Sequence, residues 1–193
     1  GAAAIEGNGQ RALLRGIVDA ASSRLDGRVA FIPEDRRGEA LLADRPLTAN
    51  WVLGNLDRVS EWLDWTAIEL ATAALIARHD IRTTGTAATP TELSGGNQQK
   101  FVLGRALDRQ PVLIVAEDPT RGLDIRATAE VHAALRTARD AGACVVVHSS
   151  DVDEVLALAD RLLVMADGVI RELPVDAPRD TIGDAMLGIA VPG

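Results

Sequence analysis

The chain is short of several things that define classes of protein, and each shortage excludes something. It has one cysteine, Cys144, in 193 residues, so no disulfide forms within it, which suits a reducing compartment. Cys144 lies in the apolar run Ala143-Cys144-Val145-Val146-Val147 and reads as a small core residue rather than a reactive thiol. No apolar stretch approaches the roughly 20 residues that cross a bilayer. The opening Gly1-Ala2-Ala3-Ala4-Ile5 lacks the basic start of a signal peptide. Positive charge is short as well: 20 Lys and Arg stand against 28 Asp and Glu, a net charge of -8. With no broad cationic face to offset phosphate repulsion, a general nucleic-acid binder is excluded. A single nucleotide, held by local N–H groups and a metal, is not. Neither an internal repeat nor a low-complexity segment is present.

What remains has the proportions of one globular domain with a substantial core, 47% hydrophobic and 25% charged. Residues 1–9 read as a short strand running into a Gly-containing loop, and 10–20 as a helix. Arg28-Val29-Ala30-Phe31-Ile32 reads as a strand stopped by Pro33. The texture then changes. Residues 38–92 hold no convincing buried strand but have helical spacing, with Trp62 and Trp65 at i, i+3, then Ile68, Leu75 and Ile76 among alanines. From residue 94 the order is helix, strand (112–116), loop, helix (126–140), strand (143–148), helix (152–158). A strand pair follows, turned at Asp167-Gly168. Strands alternating with helices predict a parallel sheet with right-handed crossovers.

Three motifs carry chemistry. Leu93-Ser94-Gly95-Gly96-Asn97-Gln98-Gln99-Lys100 opens a helix, where backbone N–H groups and the macrodipole favour an anion and Ser94 adds a hydroxyl donor. Glu117 and Asp118 end an apolar strand. Two carboxylates so placed suit a Mg-nucleotide site, one for the metal shell and one for water. Glu117-Asp118-Pro119-Thr120-Arg121-Gly122-Leu123-Asp124 then leads into the next helix.

This ordered set resembles the signature, Walker B and D-loop of ABC-type ATPases, and the spellings GNQQK and PTRGLD are most similar to the sugar and nucleoside importer branch. The resemblance covers nearly all of the chain and implies an α/β fold: a P-loop NTPase (RecA-like) parallel sheet with an inserted α-helical subdomain. It implies one ABC ATPase domain over 1–193, with 1–37 and 101–193 as the RecA-like core and 38–100 as the helical subdomain with the signature. The family's N-terminal antiparallel strand region is missing. Either the chain is a piece of a tandem protein or its base recognition is impaired.

Ala4-Ile5-Glu6-Gly7-Asn8-Gly9-Gln10-Arg11 stands where the phosphate loop reads G-x-x-x-x-G-K-[ST]. Gly7, Asn8 and Gly9 remain, Gln10 replaces the Lys that reaches the β- and γ-phosphates, and Arg11 replaces the hydroxyl that binds Mg²⁺. Similar loops occur in the second ATPase halves of sugar importers. Arg11, one step along the helix, is expected to point elsewhere. Glu34 takes the strand-end Gln position, touching metal or water and sensing the permease. Glu117 falls to Mg²⁺ and Asp118 to the attacking water, the reverse of the family's usual Asp-Glu order. Residues one apart on a strand are expected to face opposite ways. The switch-histidine position falls on Ser150. His148 reads as a satisfied strand-end histidine, and His79 and His132 as surface residues.

The resemblance further implies a head-to-tail pair in which Ser94, Gly95, Gly96 and Gln98 are donated to a partner's ATP, with Asp124 across the same interface. ATP and Mg²⁺ are the implied cofactors. A second ABC ATPase domain and transmembrane permease subunits are the implied partners, at the cytoplasmic face of the membrane. A nucleotide-dependent dimerisation module without turnover is the alternative. A non-transport ABC protein is disfavoured by the acidic balance and the importer-like spellings. Trp51, Trp62 and Trp65 read as packing for the helical lobe, with a groove for a permease's cytoplasmic helix as the alternative, and the charges of 34–39 as a solvated loop.

Overall fold

Six short strands form a single sheet in the computed structural model, which describes residues 2–4 (backbone), 9–26, 28–56 and 62–189. In chain order the elements are β1 (Ala2–Ala4), α1 (Gln10–Ser22), β2 (Val29–Ile32), a π-type turn (Arg36–Ala40), α2 (Leu47–Leu53), α3 (Trp65–Arg78) and a 3₁₀ turn (Pro90–Glu92). There follow α4 (Gly95–Leu107), β3 (Leu113–Glu117), α5 (Ile125–Asp140), β4 (Cys144–Ser149), α6 (Val152–Leu158), β5 (Leu162–Ala166), β6 (Val169–Leu173) and α7 (Arg179–Met186). The strand order is β2-β3-β4-β1-β5-β6. All neighbours run parallel except β5 and β6. That hairpin turns on Asp167 and Gly168, both at positive φ (49° and 75°), the backbone that Asp-Gly supplies cheaply. Helix α7 has no counterpart in the sequence reading.

Strand β3 is buried along its whole length, as expected of a parallel strand covered on both faces. The alternation sorts its side chains. Leu113 and Val115 pack with Leu14 of α1 on one face. Ile114 and Ala116 join Ile32, Phe101, Val131 and Leu135 on the other, under α4 and α5. Cys144 belongs to neither core: it is exposed, because β4 begins there and becomes buried only from Val147 onward.

Between β2 and β3 the chain builds its helical lobe. Buried Asn50 holds the 41–46 loop, accepting from Leu42 N (2.7 Å) and donating to the carbonyls of Leu42, Arg45 and Pro46. Buried Arg105 of α4 reaches Asn50 O (2.6 Å) and Ala40 O (2.9 Å). Burial, with Arg109 nearby, holds its guanidinium down to about 10. Trp62 lies ahead of α3 rather than within it and is 87% exposed, and Trp65 is 54% exposed. Of the three tryptophans only Trp51 packs against the core.

Candidate functional site

Parallel register brings the functional side chains together at the carboxyl ends of the strands, where open α/β sheets bind ligands. Glu117 pairs with His148 across β3 and β4, and Ala2 of β1 pairs with His148 from the other side. The carboxyl end of β2 delivers Glu34. Gly9 N-caps α1 at φ 88° with no side-chain cap, so the helix's first amides carry no intrahelical bond. Gly9, Gln10, Arg11, Glu34, Glu117, Asp118 and His148 line one cavity of about 420 Å³. Gly7 and Asn8 lie outside the described residues.

Within this cavity Glu117 is 3% exposed, and its Oε2 has no hydrogen-bond partner. Asp118 is differently held. Its Oδ1 accepts from the N–H (2.8 Å) and the hydroxyl (2.9 Å) of Ser150, and its Oδ2 lies 3.4 Å from His148 Nδ1. Burial pushes the Asp118 carboxyl up, but the imidazole of His148 and the two Ser150 donors outweigh it, so the group sits below its ordinary value. The expectation that neighbouring residues at the strand end face opposite ways fails here. Asp118 leaves the strand at φ 40°, a left-handed turn that brings its carboxylate back onto the Glu117 side.

Arg11 is a second correction. Instead of pointing elsewhere, its Nε lies 3.7 Å from Glu117 Oε1, while its Nη2 bonds Glu39, which also takes Arg15. Glu34 pairs with Arg121. The two carboxylates that the resemblance assigns to Mg²⁺ therefore each face a guanidinium, and a guanidinium replaces the hydroxyl ligand. Mg²⁺ needs oxygen donors in near-octahedral array, and this set does not suit it. Gln10 turns inward, its Oε1 buried without a partner.

A third correction concerns His148. It is 3% exposed, with Nδ1 held only loosely by Asp118 Oδ2 at 3.4 Å and Nε2 buried without a hydrogen-bond partner, so it is not a fully satisfied strand-end residue. The signal was its spacing: two residues before Ser150 on the same strand face, a step deeper in the sheet. Ser150 itself serves Asp118. The segment 34–39 is solvent-exposed at Asp35, Arg37, Gly38 and Glu39, but it is an ordered turn rather than an irregular loop. Asp35 Oδ1 caps the turn at Gly38 N (2.9 Å), and Arg36 and Arg37 reach Gln99 and Gln98 of α4 (both 3.4 Å).

The signature lies apart from this cavity. Ser94 N-caps α4 on the exposed surface and Gly95 and Gly96 fill its first turn, leaving amides without intrahelical acceptors. A side chain at Gly96 would press on Ala127 Cβ at 3.3 Å. Ser94, Gly96 and Asp124 line a smaller cavity with Arg82, Lys100 and Arg126. Asp124 N-caps α5 through Ala127 N (2.8 Å). Gln98 does not join them. It is buried, its amide donating to Pro90 O (2.8 Å) and Leu93 O (3.1 Å), because position 98 falls on the inner face of α4. Its neighbour Gln99 donates to Pro119 O (2.7 Å), tying the signature helix to the loop after the carboxylates.

Glu154, unremarked in the sequence, braces that loop from the far side. Buried, it accepts from Thr120 Oγ1 (2.7 Å) and Ser149 Oγ (2.6 Å) and meets His132 Nε2 at 2.9 Å. His132 is therefore an interior partner rather than a surface residue. His79 is half-buried against Asp108 at 3.1 Å.

The fold is shared with the dimeric structure of the ATP-binding cassette MJ0796 in a post-hydrolysis state bound to ADP and Pi, at a TM-score of 0.72 and 19% identity over 91% of this chain and 84% of that one. No family model matches. In sequence the chain is 33% identical over 97% of its length to the nucleoside import ATP-binding protein NupA of Lactococcus lactis. It is 35% identical over 97% to the glucose import ATP-binding protein TsgD13 of Haloferax volcanii, and 38% identical over 78% to the ribose import ATP-binding protein RbsA 1 of Mesorhizobium japonicum. By fold and by sequence the chain is an ABC-type ATP-binding cassette. It spans 42%, 39% and 30% of the lengths of these three relatives.

Proposed function

We propose that this chain is an ATP-binding domain that energises ABC-type import of a small polar solute of the sugar or nucleoside class. Its own phosphate loop is degenerate, and its signature completes the ATP site of a second ABC ATPase domain packed head-to-tail against it. The observation that carries this reading is the separation of two surfaces: Ser94, Gly95 and Gly96 present the open first turn of α4 beside Asp124, away from the cavity that holds Glu117 and Asp118. A first helical turn whose leading amides have no intrahelical acceptor and which faces outward suits an anion carried by another molecule. The names of the relatives, which import nucleosides, glucose and ribose, support the substrate class.

In this reading Mg-ATP sits on the partner's phosphate loop, and turnover occurs mainly there. In the chain's own cavity Asp118 addresses the attacking water with a side chain one methylene shorter than the glutamate usual in the family. A misplacement of about 1 Å costs on the order of a hundredfold in rate, so this site turns over slowly. The exposed Trp62 and Trp65 mark the helical lobe as the face for the permease. Among the described residues no helix is long and apolar enough to cross a membrane, and we place the domain peripherally at the cytoplasmic face. Gly95→Asp puts a negative charge where the partner's phosphate should bind and is expected to stop ATP turnover in the assembled transporter. Transport at the unaltered rate would overturn the reading. The alternative, a dimerisation module without turnover of its own, is favoured by the Arg11–Glu117 and Arg121–Glu34 pairs. Measuring the partner domain's ATPase rate with and without this chain decides whether either role reaches the partner's site.

A further inference from the structure

Resting on the reading of the 420 Å³ cavity as a nucleotide site, we propose that it takes the phosphates of a nucleotide without a divalent cation, the guanidinium of Arg11 supplying the positive charge that a metal would bring. Arg11 stands in the first turn of α1, beside amides that no side chain caps, and is the residue at the hydroxyl position of the motif. Its Nε lies 3.7 Å from Glu117 Oε1. A cation bound to Glu117 would sit within a few ångströms of a permanent positive charge. Glu34, the other oxygen donor expected to serve a metal, is held by Arg121. Among the described residues no group of three or more acidic, His or Cys side chains is placed to hold a metal.

The same pairs explain how phosphate can approach at all. Glu34, Glu117 and Asp118 would repel it, and Arg11 and Arg121 offset two of the three charges. Arg11 is 52% exposed and also bonds Glu39 on the rim, so it can exchange that surface partner for a phosphate. Its planar, always-protonated fork binds two phosphate oxygens at once.

Calorimetric titration of the full chain with ATP, once in Mg²⁺ and once in EDTA, tests this. The expected result is an affinity that agrees within about threefold between the two buffers. Arg11→Ala, with folding checked by circular dichroism, should lower affinity in both by about tenfold, the size of one charged hydrogen bond. The double variant Gln10→Lys with Arg11→Ser restores a cation and a metal ligand, and should bind more tightly in Mg²⁺ and lose about tenfold or more in EDTA. Binding by the native chain that requires Mg²⁺, or a Mn²⁺ resonance signal from metal held by the chain and ATP together, overturns the inference and leaves the nucleotide reading standing. ATP bound in neither buffer overturns the nucleotide reading of this cavity, and the inference with it.

Discussion

At the residue scale the two carboxylates of the cavity differ in a way their adjacency conceals. Asp118 has three groups facing it, the Ser150 N–H, the Ser150 hydroxyl and the His148 imidazole, and its ionised form is favoured. Glu117 is buried with one oxygen unpartnered. Neutralising them should therefore have unlike effects. Asp118→Asn should cost about 1 kcal/mol at neutral pH, the scale of a lost charge-assisted bond. Glu117→Gln should be close to neutral, because it removes a buried charge met only by Arg11 at 3.7 Å, and Arg11, half exposed, keeps Glu39. The pH dependence has a definite sign. A carboxyl depressed in the folded state stabilises fully above its unfolded value, and that contribution disappears as pH falls through the lower folded value. In urea unfolding followed from neutral to acid pH, the gap between native chain and Asp118→Asn should narrow below the ordinary aspartate value of about 3.9. A gap constant with pH would mean that Asp118 is braced by shape alone.

At the scale of elements, two loops at the carboxyl edge of the sheet are cross-tied by buried acids. Asp118 reaches from the loop after β3 to the turn after β4, and Glu154 reaches back from α6 to Thr120, Ser149 and His132. Gln99 adds a tie from α4 to Pro119. The loop that carries Asp124 is thus fixed to three elements before any partner arrives. Glu154→Ala removes three contacts at one buried acid and should destabilise the chain by about 3 kcal/mol. Hydrogen exchange should locate the loss in residues 119–124 and 149–152, with the centre of the sheet little changed beyond the global shift. Uniform loss of protection would show that Glu154 is only a part of the core. The helical lobe depends on a different polar anchor. Arg105 serves two carbonyls from the interior, and Arg105→Met, of similar length, should leave both unanswered and lower stability by about 2–4 kcal/mol, read as a shift in the urea midpoint.

At the scale of the whole molecule, the helical lobe exposes one group of apolar side chains, Leu56, Trp62, Leu63, Trp65 and Leu70, while Ile125 and the carboxyl-terminal residues Val169, Ile170, Leu187 and Ile189 expose others. Trp62→Ala with Trp65→Ala should leave the isolated chain within about 0.5 kcal/mol of native stability, as surface changes do, while weakening its co-purification with a permease. Unchanged co-purification would remove that face from the proposed contact. How much of this was legible in advance follows from the range of the forces involved. Period-2 and period-3.6 patterning, the Asp167-Gly168 turn and the helix-capping Ser94 are local, so the alternating α/β order and the signature could be read from neighbours in sequence. Helix α7 is not legible in the sequence because its short amphipathic stretch shows little until Ile182 and Ala185 find Val155, Leu162 and Val164. Register and side-chain reach belong to the tertiary structure. Only the pairing of β3 with β4 sets His148 beside Glu117, only the positive φ at Asp118 returns its carboxylate to the same cavity, and only packing of α1 over β2 and β3 brings Arg11 to Glu117 across more than a hundred residues of chain. The sequence by itself determined the kind of fold and which residues are charged. Where those charges meet was decided in three dimensions, because Coulomb attraction and burial depend on distance and solvent exclusion that no spacing along the chain contains.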